Sequence, residues 1–253
     1  MLLAALGLVE SSFASGRKPE KNRVISIVGA GGKTTCLRRF QLECKKLGIL
    51  AAAGSPTHIQ YEKNPGFLAR PDLQAAREML KKTGTLWMGE PVSDWKCKAL
   101  PDPFYRELLA EGIWLLLEAD GAREKPVKGP REGEPVLLPE TGLVLCVYGL
   151  DGVGQPIKEV CCRVEEVCAI LAKREKDVLT AADLAKLAAS PAGGKKGGRA
   201  GMDYAVLFNK ADTREREAAA VEAAKALAGP ESRIFMAADL MPPWNLQRAG
   251  ETR

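Results

Sequence analysis

The chain has 253 residues, of which 46% are hydrophobic and 27% charged. This composition is that of ordinary folded domains and excludes the fibrous and disordered classes. The length suits one large α/β domain over residues 1–253. The net charge of +5 is mild, and Lys and Arg are scattered among acids. We therefore expect an anionic small ligand, and no nucleic acid as a partner.

The N-terminal stretch is apolar, but no basic residues precede it. A secretory signal has such residues before its apolar part. We predict instead a short amphipathic helix, residues 1–16, that packs on the domain. No other stretch approaches the length of a membrane span, so we expect no membrane partner.

The sequence contains seven cysteines but no Cys-x-x-Cys pair, and its only histidine is His58. This pattern argues against structural zinc. An odd number of thiols in a chain of this size favours a reducing compartment, with most thiols acting as small buried apolar groups. We expect a cytoplasmic protein.

Short apolar runs bounded by turn residues alternate with longer helical stretches. The runs predict strands at Val24–Val28, Ile49–Ala53, Ile113–Leu117, Leu143–Tyr148, Tyr204–Phe208 and Ile234–Ala237. The predicted helices are Thr34–Leu47, Leu73–Lys82, Pro103–Glu111, Val164–Lys173, Ala181–Ala189 and Thr213–Leu227. Thr180 and Asp183 indicate a weak capping box. The alternation predicts an α/β fold, a Rossmann-like three-layer domain with a mostly parallel sheet flanked by helices. Its ligand site is expected at the carboxyl ends of the strands.

Residues 191–201 form the one low-complexity segment, which is rich in glycine and lysine. We predict a flexible loop there, because such a composition buries little apolar surface. Its cations could fold over a phosphate, and a solvated linker between a helix and a strand is the alternative.

A glycine-rich turn joins the first predicted strand to the first predicted helix. It consists of Gly29, Ala30, Gly31, Gly32, Lys33, Thr34 and Thr35. A strand, such a turn and a helix form the context of a P-loop, in which backbone N–H groups converge on phosphate oxygens. Lys33 would neutralise the terminal phosphates, and Thr34 would bind Mg²⁺. The loop is shorter than the common P-loop, and a purely structural turn is the alternative. The prediction is a P-loop NTPase-like domain that binds ATP or GTP.

Two carboxylates, Glu118 and Asp120, follow the third predicted strand. P-loop proteins place a carboxylate at such a strand end to hold Mg²⁺ or to orient a water. We predict Asp120 as a metal ligand with Thr34, and Glu118 as a catalytic candidate beside Lys33. The alternative is that Asp120 caps a helix.

A third motif, Asn209-Lys210-Ala211-Asp212, follows another apolar strand. It has the Asn-Lys-x-Asp form by which GTPases read guanine, with Asp212 binding the base, Asn209 fixing the loop and Lys210 covering the base face. The alternative is a turn in which Asp212 or Thr213 caps the following helix.

Several motifs occur in an order that resembles one known family, the YqeC proteins. They are Gly29 to Thr35, Thr57-His58, Glu118-Ala-Asp-Gly121, Lys128-Gly-Pro130, Glu134-Pro135, Gly149-Leu-Asp-Gly152 and Asn209-Lys-Ala-Asp212. The resemblance implies a nucleotide-binding accessory protein of selenium-dependent molybdenum hydroxylases, acting in making or inserting their selenium cofactor. A molybdenum hydroxylase or its cofactor-synthesis machinery is the implied partner.

One departure from the family pattern draws attention to His58. The family usually carries a run of threonines before the histidine, whereas this chain has Ala51-Ala-Ala-Gly-Ser-Pro56 ahead of Thr57. His58 is a candidate acid-base group, and a structural histidine is the alternative. The selenium link also suggests Cys161 and Cys162, but adjacent cysteines point in different directions. A selenium-transfer thiolate also needs exposure and a lowered pKa, which a sequence does not show.

Three functions fit these motifs. The first is a Mg²⁺-dependent NTPase, or a phosphoryl or nucleotidyl transferase, in selenium-cofactor maturation. The second is a nucleotide-gated protein that delivers a cofactor without significant turnover. The third is a small-molecule kinase or Mur-like ATP-dependent ligase, for whose usual further substrate domain the chain has little room.

Overall fold

The computed structural model describes residues 2–8, 23–60, 66–227 and 233–237. The strands in this part are β1 (Val24–Gly29), β2 (Ala51–Gly54), β3 (His58–Gln60), β4 (Phe67–Leu68), β5 (Thr85–Met88), β6 (Glu90–Ser93), β7 (Lys96–Lys98), β8 (Trp114–Glu118), β9 (Val127–Lys128), β10 (Leu143–Gly149), β11 (Cys161–Cys162), β12 (Asp203–Asn209) and β13 (Arg233–Ala237). The helices are α1 (Leu2–Ala5), α2 (Lys33–Lys46), α3 (Leu73–Thr83), α4 (Asp102–Ala110), α5 (Ile157–Val160), α6 (Val164–Leu171), α7 (Ala181–Ala189) and α8 (Arg214–Leu227).

One eight-stranded sheet organises the fold, with strand order β13-β12-β10-β1-β8-β2-β5-β4. Every pairing within it is parallel. All six residues of the central strand β1 are buried, as expected for a parallel sheet that is covered on both faces. The predicted α/β class with a mostly parallel sheet is confirmed.

Side chains that alternate along β1 serve two different cores. Ile25 and Ile27 pack with α1 and α2 on one face of the sheet. Val24 packs with α3 and α4 on the other face, and Val28 packs there with α6, α7 and α8. The result is the predicted three-layer architecture.

The six predicted strands, and the six predicted helices from Thr34 onward, are all present, with ends that differ by no more than two residues. The capping box of α7 is also confirmed, because Thr180 Oγ1 accepts from the Asp183 backbone N–H while Asp183 Oδ2 accepts from that of Thr180. The prediction missed β4 and β5 at one edge of the main sheet. It also missed a separate antiparallel sheet of order β3-β7-β6.

The N-terminal segment packs on the domain through α1 and the residues after it. Leu3, Leu6 and Leu8 are buried, and the Glu43 carboxylate accepts from the backbone N–H groups of Leu2 and Leu3 at 2.8 Å. The predicted helix covered residues 1–16, but α1 ends at Ala5, because Gly7 has a left-handed φ of 66° that a continuing helix does not allow. Met1 and residues 9–16 lie outside the described residues.

The Gly/Lys-rich segment 191–201 folds as consecutive turns. Two of its cations bind backbone carbonyls: Lys196 Nζ donates to Pro130 and Arg131, and Arg199 donates to Leu138. The third, Lys195, lies 5.5 Å from the centre of the Tyr204 ring. The flexibility of this segment stays a prediction. Among the described helices, none is both long and apolar enough to cross a membrane.

Candidate functional site

The glycine-rich loop between β1 and α2 is packed tightly, and two of its positions have left-handed φ values that favour glycine. Gly31 has a φ of 78°, and a Cβ there would lie 2.2 Å from the backbone N of Gly149. Gly32 has a φ of 131°, and a Cβ there would lie 2.2 Å from Asn209 Nδ2. The loop is therefore pressed against the ends of β10 and β12, and its path depends on contacts from distant parts of the chain.

The amides of the loop fall into two groups. Ala30 donates to Val147 O at 2.8 Å, and Gly31 donates to Lys125 O at 3.1 Å, so these amides hold the loop in place. The first N–H that binds within α2 is that of Cys36, which donates to Gly32 O. The amides of the helix's first turn have no acceptor within the helix, and together with the helix dipole they favour an anion at this end.

Lys33, the first residue of α2, turns its ammonium group back under the loop. Its Nζ donates to Gly29 O at 2.7 Å and lies 3.1 Å from Asp120 Oδ1 and 3.7 Å from Glu118 Oε1. Burial alone would lower the pKa of Lys33, but the charges of Asp120 and Glu118 outweigh it and hold the pKa above its ordinary value. Lys33 is therefore a fixed positive charge at the base of the loop.

Thr34 and Glu118 form the second polar pair of the site. The Thr34 hydroxyl donates to Glu118 Oε2 at 2.9 Å, which joins the first turn of α2 to the end of β8. Burial raises the pKa of Glu118 above its ordinary value, although Lys33 and the Thr34 hydrogen bond act in the opposite direction. Both side chains line the cavity above the loop.

Asp120 lies beneath the loop, between two lysines. Its Oδ2 accepts from the Gly29 N–H at 3.3 Å and lies 3.4 Å from Lys128 Nζ, while Oδ1 faces Lys33. The side chain is 2% exposed and is not among the residues that line the cavity. Its role as a metal ligand stays a prediction, but the Thr34 hydroxyl with which it was to share the metal binds Glu118 instead.

Lys128 is a residue whose role the sequence analysis missed. Its Nζ is fully buried, lies 2.6 Å from Glu134 Oε2 and donates to Gly121 O at 2.6 Å. Burial would raise the pKa of Glu134, but Lys128 holds it below the ordinary value. The signal was present in the motifs Lys128-Gly-Pro130 and Glu134-Pro135, but a charge pair in the sequence does not reveal that it is buried.

The residues of the Asn-Lys-x-Asp motif lie in three different places: at the loop, at the cavity and at the surface. Asn209 Nδ2 donates to Gly31 O at 2.8 Å, and Lys210 lines the cavity with its Nζ 2.5 Å from Asp151 Oδ2. Asp212 lies 2.6 Å from Arg216 and does not line the cavity, and Thr213 Oγ1 accepts from the Arg216 N–H at the start of α8. Guanine reading by Asp212 stays a prediction, while the alternative, a Thr213 cap, is present.

The segment that follows Asp120 crosses the loop and carries backbone strain. Arg123 and Glu124 have φ values of 50° and 60°, a left-handed conformation that side-chain-bearing residues rarely adopt in succession. Lys125 anchors the segment, because its Nζ donates to Glu159 O at 2.6 Å and its own carbonyl accepts from Gly31. Such strain is common where the surrounding structure fixes a functional loop.

An open cavity of about 730 Å³ lies above the loop, within the range of small-ligand sites. Its charged lining comprises five cations and two carboxylates, namely Lys33, Lys96, Arg123, Lys125, Lys210, Glu118 and Glu124. This excess of positive charge suits a polyanion. Among the described residues, no group of three or more His, Cys, Asp or Glu side chains could hold a metal ion.

The small antiparallel sheet closes one end of the cavity. His58, at the start of β3, lines the cavity there together with Trp95 and Lys96 from the β6–β7 hairpin. His58 is exposed, and it pairs with Lys98 across the sheet. The sequence analysis proposed His58 but missed the hairpin, because its strands are too short to give an alternating pattern.

Comparison with known proteins adds a family assignment to this geometry. The family model described as YqeC protein matches residues 25–165, which is more than half of the chain. The chain belongs to the YqeC family. The matched region contains the glycine-rich loop, Glu118, Asp120 and the buried pair of Lys128 and Glu134, whereas Asn209 lies beyond it. No curated protein and no solved structure matches the chain.

The cysteines of this YqeC-family chain are all free thiols. Cys161 and Cys162 are both buried in β11, which pairs with β9. Burial raises the pKa of Cys161 to about 12. A thiol with such a pKa is a poor nucleophile at neutral pH, so the geometry gives no support for selenium handling by this residue.

The packing of Gly31 gives a testable prediction with a matched control. Gly31→Ala should lower the free energy of unfolding by about 1–2 kcal/mol through left-handed strain and by about 1–3 kcal/mol more through overpacking. Gly112 has nearly the same φ, 76°, but a Cβ there would meet no atom within 4 Å, so Gly112→Ala should show the strain alone. Denaturant unfolding of both variants measures the difference, and equal losses would contradict the tight contact.

Proposed function

We propose that this YqeC-family protein binds a nucleoside triphosphate, ATP or GTP, with Mg²⁺ at the loop Gly29–Thr35 and cleaves or transfers its terminal phosphoryl group. The observation that carries the proposal is the convergence of three elements on one cationic cavity. These are the first-turn amides of α2, the buried ammonium of Lys33 and the Thr34–Glu118 pair. Each of them suits a phosphate chain or its cation.

The oxygen donors at the loop fit magnesium. Thr34 and Glu118 offer a hydroxyl and a carboxylate that lie 2.9 Å apart on the cavity wall. Mg²⁺ prefers oxygen ligands and is commonly held by one or two protein groups, with phosphate and water completing its shell. Thr34 and Glu118 would hold it, and the ion would supply charge neutralisation at the terminal phosphates.

The protein's own residues have distinct parts in this proposal. Lys33 neutralises phosphate charge, and Asp120 and Lys128 position it from below. Asn209 keeps the loop closed through Gly31, and Lys210 carries positive charge at the β12 end of the cavity. His58 lines the cavity, where it would position the group that attacks the terminal phosphate.

The biological setting that we propose is maturation of the selenium cofactor of molybdenum hydroxylases. Support comes from membership of the YqeC family and from a site that suits an energy-consuming accessory step. A molybdenum hydroxylase or its cofactor-synthesis machinery is the partner in this proposal.

A nucleotide-gated delivery protein without significant turnover is the second candidate. One observation favours it: Glu118 is already engaged by the Thr34 hydroxyl and faces Lys33. A carboxylate whose oxygens are occupied by these contacts is not free to take a proton from the attacking group, so slow hydrolysis would follow from the geometry. Both candidates require nucleotide binding, so the turnover number for phosphate release distinguishes them.

Phosphate release tests the proposal directly. Thr34→Val keeps the shape of the side chain and removes the hydroxyl, so we expect a loss of about a hundredfold in Mg²⁺-dependent turnover. Lys33→Met should lose at least as much, because it removes the charge at the loop. Exposed Lys225→Ala serves as the control and should match the wild type. Wild-type turnover that is absent, or unchanged by both loop variants, would rule out the NTPase proposal.

The raised pKa of Glu118 predicts a pH dependence for Mg²⁺-nucleotide binding. As the pH falls, Glu118 takes up a proton at a higher pH than an ordinary glutamate, and affinity should decline from that point. Glu118→Gln should bind more weakly and lose this dependence. Glu124→Gln, which alters the other glutamate of the cavity, should keep it. Calorimetry across the acidic range measures all three, and a pH-dependent Glu118→Gln variant would contradict the assignment.

A further inference from the structure

The β6–β7 hairpin presents a large aromatic side chain to the cavity. Trp95, in the turn of the hairpin, is 67% exposed and lines the cavity wall. The hairpin itself is anchored, because Cys97 is buried and pairs with Ile59 of β3. Lys96 Nζ lies 6.0 Å from the centre of the Trp95 ring. The exposed ring is thus held on a fixed support.

Exposure of such a ring is unfavourable for the protein alone. Transfer of the tryptophan ring out of water is favourable, and exposed aromatic groups in a concave site are typical of ligand contacts. The neighbouring His58 and Lys96 add a polar group and a positive charge. A ligand that contacts Trp95, His58 and Lys96 favourably has a flat aromatic ring and a negative charge.

The strand order separates this end of the cavity from the end formed by Lys210. β12, which precedes Lys210, and β2, which precedes His58, each lie two strands from β1, on opposite sides. With neighbouring strands about 4.8 Å apart, the two ends are separated by about 19 Å. One nucleotide held by its phosphates at the central loop extends its base towards only one of them.

The Thr34–Glu118 pair indicates which end the terminal phosphate faces. Glu118 ends β8, which lies between β1 and β2, so the proposed metal ligands are on the His58 side of the loop. Thr34 and Glu118 would hold the metal beside the terminal phosphates, whose charge it would neutralise. The nucleoside would then extend towards Lys210, and the space beneath Trp95 would adjoin the terminal phosphate.

We propose that His58, Trp95 and Lys96 form a binding site for a second ligand, a planar aromatic anion, next to the terminal phosphate of the nucleotide. The ring of this ligand stacks on Trp95, and its anionic group pairs with Lys96. This inference rests on the proposed function for its orientation, because the loop defines where the nucleotide lies.

Flavin mononucleotide is a suitable probe, since it combines a planar ring with a phosphate. Its binding is measured by flavin fluorescence and equilibrium dialysis with Mg²⁺ and saturating ADP or GDP present. We expect Trp95→Ala to weaken binding at least tenfold and Trp95→Phe to retain most of it. Val92→Ala changes an exposed residue of the same hairpin that does not line the cavity, and it should match the wild type. Riboflavin, which lacks the phosphate, should bind more weakly, and Lys96→Ala should remove that difference.

Two kinds of result would overturn the second site, one from flavin binding and one from nucleotide binding. One is the absence of flavin mononucleotide binding to the wild type, or equal binding to Trp95→Ala. The other is a Trp95→Ala variant that weakens nucleotide binding instead, which would make Trp95 the platform for the nucleotide base. Nucleotide affinity that is unchanged in Trp95→Ala but lost in Lys33→Met supports the division of the cavity. If no nucleotide binds the wild type, the proposed function fails, whatever the flavin result.

Discussion

The site depends on an alternating row of charges beneath the glycine-rich loop, three of them buried and the fourth, Glu134, partly exposed. Lys33, Asp120, Lys128 and Glu134 follow one another in space, each within 3.4 Å of the next. Burying any one of these charges alone would be strongly unfavourable, and each is compensated by its neighbours. The row therefore couples the start of α2 to the end of β8 and to residues 128–134. Removing one member leaves an uncompensated charge in the interior.

The loop is also fixed by contacts with three other parts of the chain. Asp120 binds it from below, Asn209 binds the Gly31 carbonyl, and the Lys125 carbonyl accepts from the Gly31 amide. A site for a highly charged ligand benefits from such prior ordering, because less entropy is lost when the ligand binds. The same contacts predict that the loop tolerates little change at Gly31.

The sequence predicted the sheet and the loop because both leave local signals. Continuous apolar runs such as Val24–Val28 mark strands that are buried on two faces, and Gly29–Thr35 stands at a strand-to-helix junction. The separate roles of Glu118 and Asp120 leave no such signal. They are two residues apart, but β8 ends at Glu118 and the chain then turns, so one carboxylate faces the cavity and the other the interior.

Short or irregular elements escaped prediction for a related reason. The strands His58–Gln60 and Lys96–Lys98 contain three residues each, too few for a period to appear. No sequence signal therefore places Trp95 at the cavity, where the hairpin positions it. Guanine reading by the Asn-Lys-x-Asp motif stays a prediction: Lys210 has a left-handed φ of 65°, and Asp212 is paired with Arg216.

Calorimetry tests most directly whether the glycine-rich loop is a cradle for a triphosphate. Non-hydrolysable analogues of ATP and GTP are titrated into the wild type and into Lys33→Met, with and without Mg²⁺. We expect a Kd in the micromolar range for at least one of the two nucleotides, dependent on Mg²⁺ and weakened at least about tenfold in the variant. Absence of binding to the wild type at millimolar nucleotide, or equal affinity of a folded Lys33→Met variant, would contradict this role of the loop.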